Sequence, residues 1–486
     1  MEDQAEPKMG LARRIATNTL WVSGARVLGK VASFVVILLL ARYLGIEGFG
    51  KFAFVTAYLA LFGFLTHLGL DVIVIREASR DLKGSEALVG NGIFLKTILA
   101  CVIYAAALLV AWVSGYEPDK LLYIAIGGAG FFLAPLTLYT AAFFSTLELR
   151  LPSVLEIVAR MLNLLFVVLV MLAGHGLGVI FAVIVLSGAL EAFAKTYYAR
   201  RRFRPKWRVD PVQWKYLVKE AWPLALVVIP TLLIQRIDQI MLEDMSGDAV
   251  LGYYSAAVRL AEAFLIFPVA ALSSLFPLLS RYHEQDPEAF ERTSRLGFRY
   301  LSILGVAVPC VLAPLSGLAV TLLFGRPFAP AATPVIVLAS TLVFLFGGFL
   351  LGSVYVVMGR QKALGLLISI AALLNVVLNW LWIPSHGATG AALATLVSYG
   401  FAMTAAACYP PMLAHGRPFL GSLIKPALVG TLSLAISFKL FGDHPLAVSF
   451  CFLLLYACLL AVTGAFRRED WQLARRIMTK SPQEEA

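Results

Sequence analysis

Apolar runs of the ~20 residues that a bilayer span requires follow one another along nearly the whole chain, and about fourteen can be counted. Short polar connections separate them. Only helices that close their own backbone hydrogen bonds, or closed barrels, survive in lipid. Runs of this length predict the former, an all-α polytopic membrane protein. Within several runs the polar residues are ordered. Thr19, Ser23, Arg26, Lys30 and Ser33 alternate spacings of 4 and 3, which puts them on one face of the first helix. His67 and Asp71 share a face of the second span, Glu156, Arg160 and Asn163 of the fifth, and Ser255, Arg259 and Glu262 of the eighth. Asn375, Asn379 and Trp382 do so in the eleventh.

The connections alternate in charge. Arg13 and Arg14 precede span 1. Arg76, Arg80 and Lys83 follow span 2, the run Arg200 to Arg208 follows span 6, and Arg281, Arg292, Arg295 and Arg299 follow span 8. Arg360 and Lys362 follow span 10, and Arg467, Arg468, Arg475 and Arg476 follow span 14. The intervening loops are poor in cations. Lys and Arg favour the cytoplasmic side, so both termini are expected inside. An even number of spans is required for this alternation.

An internal repeat is expected across the first twelve spans. Leu40 to Phe62 and Met241 to Phe264 each place a Gly-containing turn before an aromatic-rich helix start. Six spans separate them, so the copies have the same orientation, the parallel-repeat arrangement of transporters. The expected division is a six-helix lobe over 1–208, closed by a basic linker at 200–208, a second six-helix lobe over 209–414, and helices 13 and 14 with a tail over 415–486. Pro223, Pro230, Pro268, Pro277, Pro309 and Pro314 are expected to kink helices of the second half.

Composition agrees with this picture. The chain has 486 residues, 60% of them hydrophobic and 14% charged, with a mean hydropathy of +0.83. A soluble domain could not hide that much apolar surface. The net charge of +11 does not indicate nucleic acid, because most cations lie in loops where they set topology. The Arg200 to Arg208 run reads as a solvated loop touching anionic headgroups. The five cysteines lie in apolar helices without metal-like spacing and read as packing residues. The polar start and the long first apolar run argue against a cleavable signal peptide. There is no GxxxxGK[ST] loop and no HExxH or Cys/His cluster. No catalytic residue, metal or cofactor is expected, and the loops are too short for an enzyme site.

The deep charges carry the functional signal. A cation at the bilayer centre costs at least ~2.5–3.5 kcal/mol and is kept from lipid. Arg26 and Lys30 have no acid in their own helix and are expected to line a wet cavity made for an anion. Arg236 and Asp238 are not on one face of span 7, so each needs another partner; a cation of span 1 or 8 is the expected partner of Asp238. Arg259 can pair with Glu262 at i, i+3 or meet substrate. Arg160 is expected to pair with Glu156, and Glu191 with Lys195. His67 and Asp71 are expected to form a helix-end pair, with proton relay as the other reading.

Three stretches carry a family resemblance. LLLARYLGIEGFGKFAFVTAY, then RIDQIMLEDMSGDAVLGYYSAAVRLAEAF followed by PVAALSSLFPLLSRY, then HGATGAALATLVSYGF, taken in that order, resemble the polysaccharide-type (Wzx-like) flippases of the multidrug/oligosaccharidyl-lipid/polysaccharide exporter superfamily. The resemblance implies two six-helix lobes around a cationic central cavity that opens alternately to each side of the cell membrane. It implies a polyprenyl-pyrophosphate-linked oligosaccharide as cargo, with Arg26, Lys30, Arg236, Arg259 and Arg160 as substrate-binding residues. Arg offers a pyrophosphate bidentate hydrogen bonds. Proton or sodium antiport would fall to His67, Asp71, Asp238 and Glu262. A cation-coupled multidrug exporter of the same superfamily is the alternative, kept open by Asp71 and Asp238; a membrane glycan polymerase or ligase is the more distant one.

Overall fold

The computed structural model describes residues 6–81, 85–146, 148–201, 203–206, 209–442 and 444–465, with side chains from Trp21 onward other than those of Ser23, Arg26, Pro223, Leu224 and Val227. Among these residues every element is helical: α1 Glu6–Leu65, α2 Leu70–Arg80, α3 Glu86–Val113, α4 Pro118–Gly128, α5 Ala141–Ser145, α6 Arg150–Leu172, α7 Leu177–Arg200 and α8 Pro211–Ser246. The order continues with α9 Asp248–Ala263, α10 Ile266–Gln285, α11 Pro287–Leu323, α12 Ala332–Val357, α13 Gln361–Cys408, α14 Leu413–Phe441 and α15 Pro445–Val462. A 3₁₀ helix, Ala129–Thr140, joins α4 to α5. Eleven described segments are long and apolar enough to cross a membrane. Two of them double back: α1 is broken at Gly45 (φ 68°) and α13 at Gly387 (φ 53°). With α8 these make the fourteen spans that the apolar runs predict, and the chain is a multi-pass membrane protein.

The repeat is visible in the backbone. Gly45 (φ 68°, ψ −174°) turns span 1 into span 2, and Gly247 (φ 84°, ψ 172°) turns span 7 into span 8. Both angles lie where a Cβ is disfavoured and glycine is not. Each turn leads into an apolar helix that is then interrupted, at 66–69 in the first case and at Phe264–Leu265 in the second. The breaks of the second half fall at these positions and at Gly387, whereas Pro277, Pro309 and Pro314 lie inside continuous helices.

Packing divides the chain into two compact units, Met1–Leu232 and Leu233–Ala486. The division falls inside α8 because the first part of that helix is bound to the first unit. Asn91 accepts from the Asp210 backbone at 2.8 Å and donates to Gln213 at 3.1 Å. Trp214 stacks on Phe94, and Arg76 bonds Tyr216 and Glu220. In the first unit, buried Leu70, Val74, Ile93, Leu138, Phe143 and Leu217 form one core. In the second, Phe298, Leu342, Phe346, Leu350, Tyr355 and Phe419 form another, with α11 packed along α12 and α14.

Candidate functional site

The first unit holds a charged cluster at a helix break. α1 ends at Leu65 and α2 begins at Leu70, with Leu68 (φ 43°) and Gly69 (φ 79°) in the connection. Leu68 is the only non-glycine residue with positive φ among the described residues. Such a backbone costs about 1–3 kcal/mol and persists where the surroundings dictate it. Here it sets His67 within the break and Asp71 in the first turn after it, with Nδ1 to Oδ2 at 2.9 Å. Lys96 of α3, fully buried, reaches both Asp71 oxygens at 2.9 and 3.0 Å. Its third contact is the Thr137 hydroxyl at 2.9 Å. Thr137 also donates to Asp71 at 2.6 Å. The buried ammonium is therefore paired and hydrogen-bonded, the condition under which a charge is tolerated away from water.

His67 Nδ1 lies 3.2 Å from Lys96 Nζ as well. A single ring nitrogen can donate to the carboxylate or accept from the ammonium, but not both. The cluster thus has two proton arrangements. His67 and Thr137 of the cluster line a cavity of about 540 Å³ with Phe64, Phe131, Thr140, Glu191 and Lys195. One wall is the 3₁₀ helix, whose three residues per turn stack Phe131, Ala134, Thr137 and Thr140 on one face. Runs beyond three or four residues are uncommon in this helix type and often mark hinges; this one has 12. The Glu191–Lys195 pair forms as expected, at 2.6 Å.

The second unit holds a three-residue cluster. Glu262 of α9 accepts from Arg259 at 3.1 Å, the expected i, i+3 pair, and also forms an ion pair with Arg236 of α8 at 3.2 Å. One carboxylate thus serves two guanidiniums, while the buried Asp238 carboxylate also lies within electrostatic reach of Arg236. Arg236 Nη1 is buried and has no hydrogen-bond partner among the described residues. Asp238, expected to find a cation, makes no ion pair among the described residues, although Arg236 is within electrostatic reach. It accepts from the Tyr254 hydroxyl and from the Gln239 backbone at 2.8 Å, with Thr395 Oγ1 at 3.5 Å. The reason is direction: Arg236 and Asp238 are two residues apart on α8, so Arg236 turns to Glu262 while Asp238 turns to a buried tyrosine.

The remaining candidates are less crowded. Lys30 is exposed, and the Arg26, Thr19 and Ser23 side chains lie outside the described residues. Glu156 and Arg160 do not pair. Arg160 instead lies over Gly29 of α1, where a Cβ would meet its Cγ at 3.7 Å and its Nε at 3.9 Å. This places Arg160 beside the Lys30 turn, and neither makes an ion pair among the described residues. Asn375 and Asn379 are fully buried and bond to each other at 3.0 Å. Lys96 and Thr137 were not expected from the sequence. A lysine deep in the third apolar run is the signal that could have found the first of them.

Comparison with known proteins is consistent across sequence and structure. The family model described as Polysaccharide biosynthesis protein matches residues 15–283. The probable flippase AglR of Haloferax volcanii is 25% identical over 397 residues, covering 77% of this chain and 79% of that protein. The solved structure of the lipid II flippase MurJ in an inward closed conformation superposes with a TM-score of 0.73 at 13% identity, over 91% of this chain and 98% of that one. An inward-facing multidrug resistance MATE family transporter of the MOP superfamily superposes with a TM-score of 0.62 at 14% identity, over 83% of this chain and 96% of its own. At these identities the two structures share the fold of this chain.

Proposed function

Because the chain belongs to the polysaccharide biosynthesis protein family, we propose that it is a flippase. It moves a polyprenyl-(pyro)phosphate-linked oligosaccharide from the cytoplasmic to the outer leaflet of the cell membrane, by alternating access around a cationic cavity. The observation that carries this reading is the Arg236–Glu262–Arg259 cluster. Its two guanidiniums sharing one carboxylate and the unused Arg236 Nη1 donor favour an anion, and a pyrophosphate accepts such donors in bidentate fashion. Lys30, Arg160 and Arg26 supply the first lobe's cations in the same reading. The six-helix lobes 1–208 and 209–414 alternate, and 415–486 adds two helices. The names of its relatives, flippases and a transporter, fit carriage rather than catalysis.

Coupling falls to the first unit's cluster. With a proton on Nδ1, His67 donates to Asp71; without it, Nδ1 accepts from Lys96. Either state changes what holds Thr137 and the 3₁₀ wall of the cavity. Asp238 and Glu262 are the coupling candidates of the second unit. The second reading, a cation-coupled drug exporter, is favoured by the MATE-like fold and the carboxylates of half-buried Asp71 and buried Asp238. Deleting the gene tests both. The flippase reading expects loss of a surface glycan and accumulation of its lipid-linked precursor, restored by the wild-type gene and not by Arg236→Gln. Normal glycan with new sensitivity to cationic drugs would reverse the choice.

A further inference from the structure

A second cationic groove lies in the second unit, away from the Arg236 cluster. It has a volume of about 390 Å³ and is lined by Arg295 and Arg299 of α11, Lys425 of α14 and the end of α15 at Gly464. Among the described residues no carboxylate lines it. Arg295 pairs with Glu291 one turn earlier at 2.5 Å, with both side chains about half exposed, and such a surface pair is weak.

Its depth in the bilayer follows from helix lengths. α15 has 18 residues and spans ~27 Å, close to the ~30 Å hydrocarbon core. Its C-terminal end, turned by Gly464 (φ 70°), therefore sits at headgroup level. Lys425 is tied to that level by donating to the Thr463 carbonyl. α11, with 37 residues, is ~55 Å long and must project well beyond the core. Arg295 and Arg299, in its N-terminal third, lie in the projecting part. The groove also has room: a Cβ built on Gly421, on its wall, meets nothing within 4 Å.

We propose that this groove binds the phosphate headgroup of an anionic bilayer phospholipid, held by Arg299, Lys425 and Arg295 at the membrane surface. Basic pockets between helices at this level suit such headgroups. The site is separate from the proposed cargo path, so it stands or falls independently of the substrate.

The test is native mass spectrometry of the purified full-length protein, titrated with phosphatidylglycerol or phosphatidylcholine. The wild type is expected to retain phosphatidylglycerol at least about tenfold better than phosphatidylcholine, the scale of removing one to two cations at an anionic surface. Arg299→Gln with Lys425→Gln should abolish the preference. Gly421→Trp, which fills the groove and keeps every charge, should abolish it too. Arg281→Gln, a cation outside the groove, should leave it unchanged, which separates the site from bulk charge. Equal retention of both lipids by the wild type, or an unchanged preference in Gly421→Trp, would overturn the proposal. So would competition by inorganic pyrophosphate together with no preference between lipids, which would assign the groove to a free phosphate instead.

Discussion

Glu262→Gln should destabilise the protein more than Arg259→Gln, because one carboxylate of the second unit's cluster serves two guanidiniums. Glu262 lies 3.2 Å from Arg236 and 3.1 Å from Arg259. Removing its charge leaves two guanidiniums facing one neutral amide. Breaking a buried pair in this way costs ~3–5 kcal/mol. The three side chains keep 16–31% exposure, so water screens part of that, and ~2–3 kcal/mol is the working figure. Arg259→Gln leaves a matched Arg236–Glu262 pair and forfeits one charge-assisted hydrogen bond, about 1 kcal/mol once solvent replaces it. Thermal unfolding of the purified full-length variants in one detergent should therefore rank them wild type, then Arg259→Gln, then Glu262→Gln. In cells Arg259→Gln should reach the membrane at near wild-type level yet fail to restore surface glycan. If Arg259→Gln lowers the melting temperature as much as Glu262→Gln, the arginine is a structural counter-ion and its role in binding an anion fails.

Lys96→Met should deplete the protein, because it strands Asp71 without its ammonium at a cost of ~3–5 kcal/mol; the double variant Lys96→Met with Asp71→Leu should recover abundance on immunoblots but not glycan export. Tyr254→Phe should cost ~1.5–3 kcal/mol, the loss of a hydrogen bond to a buried carboxylate, read as a lower melting temperature that Asp238→Asn partly reverses. Gly90→Ala should destabilise the first unit by roughly 1–3 kcal/mol through overpacking, since its Cβ would sit 2.0 Å from the Lys206 carbonyl oxygen; limited proteolysis between α7 and α8 should become faster.

The spans were legible because a bilayer imposes length and apolarity on every crossing segment. The turns at Gly45 and Gly247 were legible because their sequences match and only glycine takes those angles readily. Pairs within one helix were legible from spacing, as with Arg259 and Glu262 and Glu191 and Lys195, and the spacing also found His67 and Asp71, which meet across the break at 66–69. Spacing failed for Glu156 and Arg160, because Arg160 has a glycine-lined surface of α1 to lie on. Contacts between helices left no periodic trace. Nothing local joins Lys96 to Asp71, 25 positions earlier, or Glu262 to Arg236. The 3₁₀ stretch Ala129–Thr140 has the same apolar composition as an α-helical span, so its tighter winding was invisible. The unit boundary inside α8 was hidden too, since it depends on Gln213, Trp214 and Glu220 meeting residues of α2 and α3.

The most direct test of the central claim uses purified protein in sealed vesicles, with a fluorescent polyprenyl-pyrophosphate-linked oligosaccharide placed in one leaflet and a membrane-impermeant quencher outside. The account predicts that wild-type protein makes the probe equilibrate between leaflets and that Arg236→Gln, present at equal density, does not. Equal movement in vesicles with wild-type protein, with Arg236→Gln and without protein would contradict it.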